Sequence, residues 1–143
     1  MNSGLWKVAP VLGVRDVEQS VDYFCDSLGF ECDRASAVHR GPEGAVYAVL
    51  QCGPVSVHLQ IRRHPSEAHS SEARGRTDTD AYFFVRDADA LYGQFKGKAV
   101  RILREIQDSP YGLRDFLIGT PDGHRLCFGH EIAKTYAPPS PLL

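Results

Sequence analysis

The segment Val55-Ser56-Val57-His58-Leu59-Gln60-Ile61 alternates strictly, so as a strand it puts Ser56, His58 and Gln60 on one face and four apolar side chains on the other. His58 and Gln60 can hydrogen-bond a polar ligand, and a histidine near neutral pH can serve as a general base. A histidine satisfied beside a subunit contact has the same sequence signature. Tyr82 and Phe84 stand two residues apart in an apolar run and share a strand face, where they either pack or line a recognition surface. Tyr111 and Gly112 follow Pro110, and the glycine leaves the backbone open to close approach by a ligand. Arg114 and Phe116 begin the next strand with a parity that sends both toward the same hollow, Arg114 alternatively pairing with a surface carboxylate. The chemistry offered by such a set is stacking: a planar ring or a cation over an aromatic face gains about 0.5 to 1.5 kcal/mol beyond area burial. Cys127 reads as small filling, with no neighbouring Lys, Arg or capped helix end to make it a thiolate, so nucleophilic catalysis is not expected.

These residues lie in a chain whose organising feature is an internal repeat. Val14-Arg15-Asp16 recurs 71 residues on as Val85-Arg86-Asp87, and the same offset carries Phe24 onto Phe95. Asp16 can cap a helix whose stripe is Val17, Val21, Phe24 and Leu28, ended by Gly29; Asp87 can cap a second with Ala88, Leu91, Tyr92 and Phe95, ended near Gly97. Strands are expected at Val8 to Val14, Ala45 to Gln51, Val55 to Ile61, Asp80 to Val85, Val100 to Gln107, Arg114 to Ile118 and Arg125 to His130, the last two joined by a Thr120-Pro121-Asp122-Gly123 turn. The reading is α+β: one domain over residues 1–143, built from two tandem βαβββ modules, 6–63 and 79–133, that form a curved, open mixed sheet. Residues 64–78, with His64 and His69, read as an exposed linker, and 134–143, with three prolines, as a tail.

A βαβββ unit covers one sheet face with its helix and leaves the other bare, and two bare faces side by side make a concave ligand site. Strand parity sends Ala9, Val11 and Gly13, then Asp80, Tyr82 and Phe84, then Arg125, Cys127 and Gly129 into it, with Leu126 and Phe128 in the core.

Composition removes other classes. The 143 residues carry 16 Lys plus Arg against 18 Asp plus Glu and are 43% hydrophobic, which suits a folded domain and offers no basic stripe for nucleic acid. Apolar runs such as Ala81 to Val85 are far too short to span a bilayer, and no basic and apolar secretion signal opens the chain, so no membrane partner and a cytoplasmic location are expected. Cys25, Cys32, Cys52 and Cys127 form no CxxC pair and read as free thiols.

The run Ala9-Pro10-Val11-Leu12-Gly13-Val14-Arg15-Asp16-Val17, then Tyr23-Phe24 and Leu28-Gly29-Phe30, resembles the opening of bleomycin-resistance proteins in the glyoxalase, or vicinal-oxygen-chelate, superfamily. Pro110-Tyr111-Gly112-Leu113-Arg114-Asp115-Phe116 and Thr120-Pro121-Asp122-Gly123-His124 resemble the same family's closing hairpin, and the likeness spans about Lys7 to Glu131. The family's metal enzymes place donors at positions that fall here on Ala9, Asp80 and Cys127, and Ala9 has no donor atom. The resemblance therefore implies a protein without cofactor or metal that sequesters an aromatic, antibiotic-like molecule in a groove shared by a homodimer, its modules either intact or exchanged, with Tyr111 at the stacking position. The alternative it implies is a metal-dependent lyase, isomerase or dioxygenase using Asp80, His58 and Cys127, a mixed hard and soft set. Exposed sheet edges also argue for a second chain.

Overall fold

The computed structural model describes residues 3–62 and 70–132. In chain order its elements are β1 (Val11–Val14), α1 (Val17–Asp26), α2 (Arg34–Ala37), β2 (Val38–Gly41), β3 (Gly44–Cys52), β4 (Val55–Ile61), β5 (Ala81–Phe84), α3 (Ala88–Gly97), β6 (Arg101–Asp108), β7 (Leu113–Gly119) and β8 (Arg125–Glu131). Both long helices start where their caps require. The Asp16 carboxylate accepts from the Gln19 N–H at 3.0 Å, and that of Asp87 accepts from the Ala90 N–H at 3.1 Å. Gly29 takes φ +82° beyond α1, the left-handed conformation in which a missing Cβ removes the steric penalty.

The strands make two four-stranded sheets of the same order, β1-β4-β3-β2 and β5-β8-β7-β6, each with one parallel pair and two antiparallel pairs. The repeat is thus a repeat of topology, and the fold is the α+β, βαβββ arrangement. The mixed sheet is divided between the modules, which meet through their helix-bearing faces. A chain of rings runs from Phe24 to Phe30, Phe83 and Phe128, and on to Phe116 and Phe95, with neighbouring centroids 5.0 to 6.3 Å apart. All six side chains are buried in one core. Each such ring contributes on the order of 2 to 3 kcal/mol by leaving water, so this seam is where the modules cohere.

Four sequence expectations change. β1 begins at Val11 instead of Val8, and the residues before it form an arm on which Leu5, Trp6 and Val8 are exposed. The second strand of the first module, too short to show a period, is Val38–Gly41. The stretch expected as an exposed linker holds buried residues: the Ser70 hydroxyl donates to the Asp122 carbonyl, and the Ser71 hydroxyl to the Asp80 carboxylate at 2.7 Å. Seryl side chains with carboxylate and carbonyl partners can be buried without an apolar period to announce them. Finally, Arg114 and Phe116 lie on the helix side of β7, as described below. His64, His69 and the tail 134–143 lie outside the described residues.

Candidate functional site

The bare face of the second sheet gathers the aromatic groups. Tyr82 and Phe84 alternate with Phe83 along β5; Phe83 packs into the core, and the other two rings meet on the open side with centroids 5.0 Å apart. Phe84 is 64% exposed. Tyr111 is 71% exposed in the β6–β7 turn, where Gly112 has φ +84° and its N–H donates to the Ser109 carbonyl. Burial, and then the hydrogen bond to Asp115, raise the pKa of the Tyr82 phenol, with a smaller contribution from Tyr111.

Beneath the rings lies a closed polar floor. Asp115, 1% exposed, accepts from the Tyr82 hydroxyl at 2.9 Å and from Arg104 Nη2 at 2.5 Å, while Arg104 Nη1 donates to the Asp115 carbonyl at 3.0 Å. The buried carboxylate is therefore matched by one guanidinium and one phenol, which removes the large penalty of an unpaired charge. Cys127 completes the floor. Burial, and then the Asp115 charge, push its thiol up to about 12, so it stays protonated at neutral pH and is no nucleophile. Gly129 is required here by close approach: a Cβ would overlap the Tyr82 hydroxyl and the Asp115 side chain.

His58 and Gln60 stand on the bare face of the first sheet. The Tyr47 hydroxyl and His58 Nδ1 share a hydrogen bond at 2.7 Å, and the rings meet edge to face. His58 opens on a recess of about 390 Å3 walled by Trp6, Val8, Val11, Val49 and Ser56, all from the first module. Gln60 is exposed. A second recess, about 540 Å3, runs from Trp6, Val8 and Pro10 across Ser56 to Tyr82 and Phe84. The arm thus borders both recesses and separates His58 from the aromatic face.

Arg114 and Phe116 correct the sequence expectation. Phe116 is fully buried beside Tyr92 and Phe95, and Arg114 reaches Asp89 of α3 and Asp108, both at 2.9 Å, so its alternative pairing with surface carboxylates is the one adopted. The register gives the reason. Phe116 lies directly opposite Phe128, and directly opposed residues share a face, so a core Phe128 demands a core Phe116. The signal was present in the hairpin: counting back from its Thr120 turn instead of from the strand's first residue finds Asp115 on the open face. Arg104 could not be found by alternation, because β6 shifts register on both sides of it.

A metal does not fit the three donors considered. The Asp80 carboxylate already accepts from the N–H and hydroxyl of Ser71 and from the Arg125 N–H, and His58 belongs to the other sheet. Among the described residues no three His, Cys, Asp or Glu side chains are grouped closely enough to hold an ion. Nor is any helix among them long and apolar enough to cross a membrane.

Duplicated βαβββ modules with a bare, ring-lined sheet face define a class of concave small-molecule folds. This chain belongs to the Glyoxalase/Bleomycin resistance protein/Dioxygenase superfamily, whose sequence profile matches residues 8–128. It is 26% identical over 133 residues to the bleomycin resistance protein of Geobacillus stearothermophilus, covering 86% of this chain and 95% of that one. A glyoxalase-related enzyme from Clostridium phytofermentans has a similar structure, with TM-score 0.72 and 22% identity over 92% of this chain and all of the other. The bleomycin-binding protein of bleomycin-producing Streptomyces verticillus, complexed with copper(II)-bleomycin, has TM-score 0.63 and 23% identity over 93% of this chain and all of its own. At these identities the two structures establish the shared fold.

Proposed function

We propose that this protein binds and sequesters a small aromatic, antibiotic-like molecule, with Tyr82, Phe84 and Tyr111 as the stacking surface and a second copy closing the groove. The observation that carries this reading is the set of rings on the second sheet's bare face above a floor whose only buried carboxylate is already neutralised. Stacking on such a floor favours a planar ring and gives a strongly cationic ligand little to pair with. Gly112 lets the ligand approach the turn backbone, while His58 and Gln60 supply polar contacts from the first sheet's face across the groove of a dimer. The name of the 26% identical relative, bleomycin resistance protein, supports the ligand class.

Support for a homodimer comes from β1 and β5, edge strands with no second strand neighbour among the described residues, and from the exposed Leu5, Trp6 and Val8. Intact chains and exchanged modules would both complete the groove. Trp6, the chain's single tryptophan, borders both recesses and provides a fluorescence signal. Titration of bleomycin and of planar quinones, followed by calorimetry and Trp6 emission, should yield saturable binding at one ligand per chain in a particle of dimer mass by light scattering. Tyr111→Ala should weaken it by about tenfold, the scale of one lost stacking partner. Unchanged affinity in Tyr111→Ala and in Phe84→Ala would remove the stacking surface from the account.

A further inference from the structure

The internal repeat places two clefts in equivalent positions, and in only one of them does a carboxylate of the chain pair with the arginine at the polar end. Arg15, Asp16, Gln19, Ser20, Tyr23 and Phe24 line the first, facing the β7–β8 turn. Their counterparts 71 residues on, Arg86, Asp87, Ala90, Leu91, Gln94 and Phe95, line the second, facing the β3–β4 turn at Cys52 and Pro54. In the first cleft the turn supplies Asp122, whose carboxylate accepts from the Arg15 N–H and Nε, both at 3.0 Å, and from the Ser20 hydroxyl at 3.2 Å. In the second the turn carries no acid, Leu91 replaces Ser20, and Arg86 has neither an ion pair nor a side-chain hydrogen bond among the described residues. The space measures about 620 Å3, and its interior is apolar, with Leu28, Phe30, Phe83 and Phe128 beside Leu91 and Phe95. That size and lining suit a small molecule.

We infer that this second cleft binds a small monocarboxylate with a hydrocarbon body, the ligand's carboxylate taking at Arg86 the place that Asp122 holds at Arg15. The first cleft supplies the template for the polar end, since the same Arg-Asp sequence before the same helix there holds a carboxylate with backbone and side chain together. Replacing Ser20 by Leu91 converts the remaining polar partner into apolar wall, so the body of the ligand is hydrocarbon. This cleft opens on the seam between the modules; it borders the stacking surface at Phe84 but includes neither Tyr82 nor Tyr111, and Arg86 lies outside the recess that reaches Tyr82.

Decanoate tests it, with 1-decanol as the uncharged control. Calorimetry of the full chain should show decanoate bound at least about tenfold more tightly than decanol, the scale of one charge-assisted contact. Arg86→Gln should abolish that preference, and Pro54→Asp, which puts an acid on the facing turn, should do the same by filling the place. Both positions are exposed, so circular dichroism should be unchanged, and the bleomycin titration should be unaffected in Arg86→Gln, which lies outside the recess reaching Tyr82 and Phe84. Equal binding of acid and alcohol, or a preference that survives both substitutions, overturns the inference. So does a change of sedimentation coefficient in Arg86→Gln without decanoate binding to the wild type, which would make the cleft a subunit contact.

Discussion

Asp115 and Cys127 show how one buried pair sets the reactivity of a whole surface. With Arg104 and Tyr82 holding both carboxylate oxygens, the floor under the rings has no acid or base free to move a proton, and the thiol beside it is held in its neutral form. A thiol raised to about 12 in the folded chain ionises first in the unfolded chain, near its ordinary value of 9.0, so between these values the unfolded state binds fewer protons and stability falls as pH rises. Urea denaturation between pH 8 and pH 11 should therefore show declining stability, with a shallower decline in Cys127→Ala. At pH 8 the exposed Cys52 should react with a disulfide reagent while Cys127 reacts only on unfolding. Rapid modification of Cys127 in the native protein would contradict the closed floor.

At the scale of elements, β8 is the piece that both modules of chemistry depend on. It pairs with β5 and β7, presents Leu126 and Phe128 to the core, and on its other face alternates Cys127 with Gly129 beneath Tyr82. Gly129 is therefore a packing requirement of the open face and not a turn signal. Gly129→Ala should destabilise the fold by about 1 to 3 kcal/mol, because the added methyl displaces the Tyr82 hydroxyl from Asp115 or shifts the strand. Chemical denaturation measures this, and Gly129→Ala combined with Tyr82→Phe should lose less than the two single effects added together, since both act on one hydrogen bond. Additive losses would place the strain elsewhere.

For the whole molecule, the seam between modules decides which surfaces are left for ligands. It is held by the phenylalanine chain and closed at one end by Asp122 between Arg15 and Ser20. Asp122→Ala should lower stability by about 1 to 3 kcal/mol in urea denaturation, discounted for Arg15, whose side chain is 61% exposed and can be rehydrated. Pro54→Ala at the equivalent turn should change stability much less, since no carboxylate bridges the modules there. Equal losses at both turns would deny the difference between the two clefts.

The sequence by itself determined the duplicated units, because a cap, an apolar helical stripe and an alternating strand are local patterns, and Asp16, Asp87 and Val55–Ile61 behave as their spacing requires. Its alternation also put Tyr82 and Phe84 on the strand face opposite the buried Phe83. Only the tertiary structure decided that Phe116 belongs to the core and Asp115 to the open face, since strand parity is settled by the partner across the ladder. The same holds for Arg104, whose bulged strand has no period to read, and for the seam itself. Which faces of two similar modules meet depends on long-range packing of rings far apart in the chain, and no short stretch of residues encodes that choice.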